Sequence, residues 1–161
     1  MTKDTSVVEV TLESSLKNVE VADELSRRVT TTAGFLEDER EQIEMAIHES
    51  LINAIWHGNK NDENKRVWLR YQIHEDRLEV RIRDQGDGFD LNAIPNPLEE
   101  ENLLRVSGRG IFLIRSFMDE FQVNKLREGG TEVVMIKRFN SNRKPNQGGT
   151  EREHEGDNTP S

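Results

Sequence analysis

Glu49, Asn53 and His57 stand four residues apart in the run HESLINAIWHGN, a spacing that sets all three on one stripe of a helix. Glu49 and Asn53 would then lie beside the apolar stripe of that helix rather than opposite it, an odd place for solvated polar groups. A carboxamide oxygen is a hard ligand suited to Mg2+, and a carboxylate one turn away can take a proton from a hydroxyl or a water. The same pair also fits a helix edge that simply faces water.

A second cluster, Asp84-Gln85-Gly86-Asp87-Gly88, closes an alternating apolar run. A carboxylate at a strand end can accept a hydrogen bond from an exocyclic amine such as that of adenine. The glycines let the backbone turn sharply and come close to a flat ligand. A glycine-rich turn capped by an aspartate would have the same sequence. The third cluster is Ser107-Gly108-Arg109-Gly110, directly before an apolar helical pattern. Glycines at a helix N-terminus expose unpaired N–H groups, which together with the helix dipole suit an anion. Arg105 and Arg109 add positive charge there. A flexible hinge would also read this way. Neither the phosphate loop GxxxxGK[ST] nor the dinucleotide fingerprint fits.

The elements that must position these clusters are legible from periodicity. Residues 6–11 read as a strand, with Val8, Val10 and Leu12 on one face. Ser14 or Ser15 can cap a helix whose stripe is Leu16, Val19, Ala22, Leu25 and Val29, broken by Thr30, Thr31, Thr32 and Gly34. A second helix, residues 37–57, turns Ile43, Ala46, Ile47, Ser50, Leu51, Ala54 and Ile55 inward. Two alternating strands follow as a hairpin through residues 74–77, one with Val67, Leu69, Tyr71 and Ile73, the other with Leu78, Val80 and Ile82. Residues 85–110 form a long loop, of the kind that is usually functional. A helix with Ile111, Phe112, Ile114, Arg115 and Met118 then leads to a last hairpin, residues 121–126 and 131–139, turned at Glu128-Gly129-Gly130. Trp56 and Trp68 fall in amphipathic elements and are expected to pack. This order predicts an α+β fold, a two-layer α/β sandwich with the helices on one face of a mixed sheet. Residues 1–139 make the domain, and residues 140–161 have the composition of a disordered polar tail.

Composition narrows the function. The chain has 161 residues and a net charge of −9, so general binding to a phosphate backbone is disfavoured while a basic protein partner stays open. It has no cysteine, which excludes thiolate nucleophiles and cysteine zinc sites. The opening MTKDTSVVEV lacks the apolar core of a signal peptide. The charge-free run at residues 50–59 is far shorter than the roughly 20 residues a membrane helix needs, so a cytoplasmic protein without membrane contact is expected.

Taken in order, the three clusters resemble the N, G1 and G2 boxes of the GHKL ATPase superfamily, and HESLINAIWHGN looks like the anti-sigma-factor serine kinases of the RsbW and SpoIIAB type. The resemblance covers roughly residues 6–139. It implies the Bergerat ATP-binding fold with ATP and Mg2+ as cofactors. Glu49 would be the general base and Asn53 the Mg2+ ligand. Asp84 would bind the adenine amine, with Gly86 and Gly88 shaping the pocket and Thr131 close by. Gly108 and Gly110 would contact phosphates at the end of an ATP lid, residues 91–107. This lid lacks the bulky aromatic box of full histidine kinases, and His57 is expected to be a structural hydrogen-bonding residue.

The implied activity is a serine/threonine protein kinase acting on a STAS-domain anti-anti-sigma protein. The companion reading is a binding module that sequesters a sigma factor, with ATP as a structural ligand. Pairing with a second copy of the chain is a further expectation from the family. The catalytic half of a two-component histidine kinase fits less well, because no room exists for a dimerisation helix pair carrying a phosphorylatable histidine; His48 lies inside the N box and His154 in the tail.

Overall fold

The computed structural model describes residues 5–86 and 106–140. Five strands and three helices follow in the order β1 (Ser6–Glu13), α1 (Val19–Ala33), α2 (Glu37–Ile52), β2 (Arg66–Ile73), β3 (Arg77–Arg83), α3 (Val106–Phe117), β4 (Glu120–Lys125) and β5 (Thr131–Arg138). The sheet order is β1-β2-β3-β5-β4. The α+β sandwich is as expected from the sequence, but the sheet is not mixed: every neighbouring pair is antiparallel. β3 and β4 do run in the same direction. The β4–β5 hairpin folds back so that β5 fits between them, and no parallel pair touches.

Alternation in the strands builds one wall of the core. Val67, Leu69 and Tyr71 of β2, Leu78, Val80 and Ile82 of β3, and Val133 and Met135 of β5 are all buried. Ile43, Ala46, Ile47, Leu51, Ala54 and Ile55 pack against them, as the helical spacing requires. Three acidic residues, Glu37, Asp38 and Glu39, occupy the first turn of α2, where the helix dipole favours negative charge. Polar contacts then lock the helices in place. The Tyr71 hydroxyl lies 2.6 Å from Ser26 Oγ on α1. Thr30 Oγ1 donates to Glu44 Oε1 at 3.1 Å, and His48 Nδ1 meets the Asp23 carboxylate at 3.0 Å, both between α1 and α2.

Several local expectations are corrected. The threonines do not break α1, because Thr30 and Thr31 turn their hydroxyls back onto the Arg27 carbonyl and stay helical. Gly34 alone ends the helix, at a left-handed φ of 84°. Residues 37–57 are not one α-helix: Asn53–Gly58 winds as a π-helix, with the Asn59 N–H reaching back to the Ala54 carbonyl at 2.8 Å. The last helix begins at Val106, so Ser107-Gly108-Arg109-Gly110 lies inside its first turns rather than ahead of it.

Trp56 and Trp68 are not core residues. They are 52% and 38% exposed, since Trp56 sits on the outer side of the π turn and Trp68 on the uncovered face of the sheet. That uncovered face is otherwise a ladder of charges. Arg70 pairs with Glu9 at 3.2 Å, Arg81 with Glu132 at 2.9 Å, and Arg83 also with Glu132. Among the described residues no helix is long and apolar enough to cross a membrane.

Two substitutions separate the packing from the polar locks. Ile47→Ala, at a fully buried site, should cost about 2–5 kcal/mol in urea unfolding. Tyr71→Phe should cost only about 1 kcal/mol, because Ser26 Oγ keeps its 2.8 Å bond to the Ala22 carbonyl. Equal costs for the two variants would contradict this division.

Candidate functional site

The junction of α2 with its π turn carries Glu49 and Asn53. Glu49 is partly exposed, and Asn53 is only 7% exposed. The first turns of α3 cross directly over this pair. A Cβ placed on Gly110 would lie 2.9 Å from Glu49 Oε2 and 3.6 Å from Asn53 Nδ2, so only a glycine admits this approach without displacing the carboxylate. The first turns of α3 are thereby brought against an acid and an amide.

Asp84 follows β3 and is 4% exposed. Its Oδ1 accepts a hydrogen bond from the Gly86 N–H at 2.9 Å. Gly58, the last residue of the π turn, packs face to face with the carboxylate: a Cβ there would fall 2.6 Å from Asp84 Cγ and Oδ2. A Cβ on Gly86 would in turn fall 1.7 Å from the Gly58 carbonyl oxygen. The two glycines interlock, and the close approach of the turn to the helix end depends on both. Burial pushes the Asp84 carboxyl above the ordinary carboxylate range, partly offset by backbone hydrogen bonds from Gly86 and Thr131 and by the charge of Lys65.

Thr131 opens β5 beside Asp84, whose N–H donates to the Thr131 carbonyl at 2.9 Å. The Thr131 side chain is fully buried, and its hydroxyl has no hydrogen-bond partner among the described residues. A buried hydroxyl without a partner beside a buried carboxylate marks a place where a polar ligand atom or a water can bond. Asp84 and Asn53 also line a cavity of about 10 Å³, room for one water, together with Ser50, Ile111, Phe121 and Val133.

The fold thus brings Glu49, Asn53, Asp84, Gly86, Gly110 and Thr131 around one place. Gly108 lies in the first turns of α3. Gly88, Arg105, the expected lid at residues 91–107 up to its junction with α3, and the tail beyond residue 140 lie outside the described residues, as does the side chain of Arg109. His57 is exposed and its side chain makes no hydrogen bond among the described residues, because the π winding leaves it on the outer side. His48 is engaged with Asp23 on α1.

The donor set fits a nucleotide with its cation. Among the described residues no group of three or more His, Asp or Glu could hold a metal ion by itself. A Mg2+ ion accompanying a nucleotide would find one protein oxygen here, that of Asn53.

A family model described as the histidine kinase-like ATPase domain matches residues 12–137. The chain belongs to the histidine kinase-like ATPase family. Relatives of this ATPase include the serine-protein kinase RsbW of Bacillus subtilis, 34% identical over 121 residues that cover 71% of this chain and 74% of the relative. RsbW of Staphylococcus epidermidis is 34% identical over 148 residues, covering 88% and 92%. RsbW of Listeria innocua is 33% identical over 118 residues, covering 70% and 74%. A crystal structure of the RsbU and RsbW domains of a Mycobacterium tuberculosis protein shares the fold, with a TM-score of 0.56 and 16% identity. That match covers 83% of this chain and 32% of the solved one. This histidine kinase-like ATPase therefore stands in the RsbW group.

The buried carboxylate makes a pH-dependent prediction. Because the folded-state value of Asp84 is raised, the stability it contributes is present at acid pH and is lost as pH rises through that value. Asp84→Asn should therefore melt above the wild type at neutral pH, and the gap should close as pH is lowered into the ordinary carboxylate range. A gap independent of pH in thermal melts would contradict the burial argument.

Proposed function

We propose that this chain is an ATP-dependent protein serine/threonine kinase and anti-sigma factor. It phosphorylates a STAS-domain anti-anti-sigma protein and sequesters a sigma factor. Residues 1–139 form its ATP-binding domain and residues 140–161 a polar tail. The observation that carries the reading is the approach of Gly110 to Glu49 and Asn53, beside the cavity that Asn53 shares with Asp84. The carboxylate at one end of that arrangement suits an amine, and the helix start at the other suits a phosphate chain.

Each residue has a separate task. Asp84 accepts the adenine amine, and the buried Thr131 hydroxyl supplies a second polar contact. Gly86 and Gly88 would shape the turn that lies along the ring, and the first turn of α3, with Gly108, would bring backbone N–H groups to the phosphates while Gly110 keeps the helix close to Glu49 and Asn53. Arg105 and Arg109 add positive charge there. Asn53 would hold Mg2+, which when bound supplies neutralisation of the phosphate charge. Glu49 orients the incoming serine or threonine hydroxyl and takes its proton as the new O–P bond forms and the bond from the γ-phosphorus to the bridging oxygen breaks, with ADP leaving. Its partial exposure leaves room for a protein side chain to enter, while Asn53 stays buried behind it.

The binding-module reading, with little kinase activity, draws on the acidic start of α2, where Glu37, Asp38, Glu39 and Glu41 would suit a basic partner surface. The two readings separate at one residue. Incubation with Mg-ATP and a STAS-domain partner should label a serine or threonine, and Glu49→Gln should lower that labelling about 100-fold or more while leaving ADP affinity nearly unchanged. Equal labelling by Glu49→Gln would remove Glu49 as the base. Sigma binding by Glu49→Gln equal to wild type, with no labelling by either, would favour the binding module.

A further inference from the structure

Asn59 directly follows the π turn and opens a polar loop, yet it is fully buried. Its side-chain amide is used on all sides. Nδ2 donates to Ser14 Oγ at 3.1 Å and to the Arg66 carbonyl at 3.1 Å, while Oδ1 accepts the Gln85 N–H at 2.7 Å. Gln85 closes the circuit, because its Oε1 accepts the Arg66 N–H at 2.7 Å. Asn59, Arg66 and Gln85 therefore form a closed ring of hydrogen bonds. The ring ties together the end of α2, the start of β2 and the turn after β3, and Ser14 adds the segment after β1.

Gln85 is the residue between Asp84 and Gly86. The Gly86 N–H holds Asp84 Oδ1, and the direction of that N–H follows from the two peptides before it. We propose that Asn59 is a positioning residue for nucleotide binding: by gripping the Gln85 N–H it sets the turn that aims the Asp84 carboxylate into the cavity. This rests on the reading of Asp84 as the adenine acceptor. The chemistry requires a carboxamide. An aspartate at 59 would set an oxygen against the Arg66 carbonyl where Nδ2 now donates, and a leucine of similar shape would bond to none of the three partners.

The closing experiment uses the full chain and ADP with Mg2+ as the probe. Asn59→Leu should weaken ADP binding about tenfold or more in calorimetry, the loss expected when one well-placed contact goes. It should also speed hydrogen exchange at the Gly86 amide in the nucleotide-free protein. Ser14→Ala removes a different bond of the same amide and should leave ADP affinity within about twofold, whatever its effect on the melting temperature. Gln85→Ala alters an exposed side chain, opens the ring from the other side and should weaken ADP about threefold, which keeps the test available should Asn59→Leu not fold. Wild-type affinity in both Asn59→Leu and Gln85→Ala would overturn the proposal, as would losses that merely track melting temperature across all three variants. Unchanged Gly86 exchange in Asn59→Leu would overturn the positioning role alone. A wild type that binds no ADP would instead refute the assignment of Asp84 and take the nucleotide role of Asn59 with it.

Discussion

A carboxylate kept out of water is costly, and Asp84 is kept out of water with two backbone N–H groups and the charge of Lys65 as compensation. Much of the molecule can be understood from what that burial requires. The helix end must arrive at Gly58 with no side chain, the turn must pass at Gly86 with none either, and β5 must lie beside β3 so that Thr131 is adjacent. The antiparallel order serves this directly. Had β4 paired with β3, a β4 residue would stand where the buried Thr131 hydroxyl now sits.

The second centre of the site is built by helix packing rather than by a turn. α2 is anchored to the sheet through Ile43, Ile47, Leu51 and Ile55, all fully buried, so the side chains on its flank inherit the rigidity of the core. α3 reaches this flank through Ile111 and Ile114, and the missing side chain at Gly110 sets how close it comes. An acid and an amide are thus presented by a rigid element, against the end of another helix. The proposed mechanism needs little more from the protein than that alignment.

Periodicity carried much of the fold. The inward positions of α2 and of β2, β3 and β5 follow from spacings of three, four and two, because burial is the strongest local signal in a chain. The clustering of Glu49, Asn53, Asp84 and Thr131 was legible through the motifs rather than through any physical derivation from spacing. Other features were not legible, for identifiable reasons. Whether a sheet is mixed depends on where a hairpin inserts, which the local sequence around β4 and β5 does not encode. Trp56 and Trp68 suggested packing because large rings favour burial, but an amphipathic element has an outer face too, and both rings fall on it. Asn59 sits in a run of polar residues that reads as a loop; its burial arises only when β1, β2 and the turn after β3 converge. The one sequence signal for it is an amide-bearing residue placed immediately after a helix-ending glycine.

The π winding of Asn53–Gly58 has a bearing on how this protein can vary in length. A π turn holds one more residue than an α turn over the same rise, so removing any one residue there would let the helix relax to ordinary winding. The residues after the deletion would then keep their direction, so Gly58 could stay against Asp84 if the residue removed lies before it. The polar stretch after it, residues 60–65, has no such constraint along most of its course. Length changes among homologous chains should therefore collect in that stretch, while the π turn can absorb the loss of a single residue ahead of Gly58.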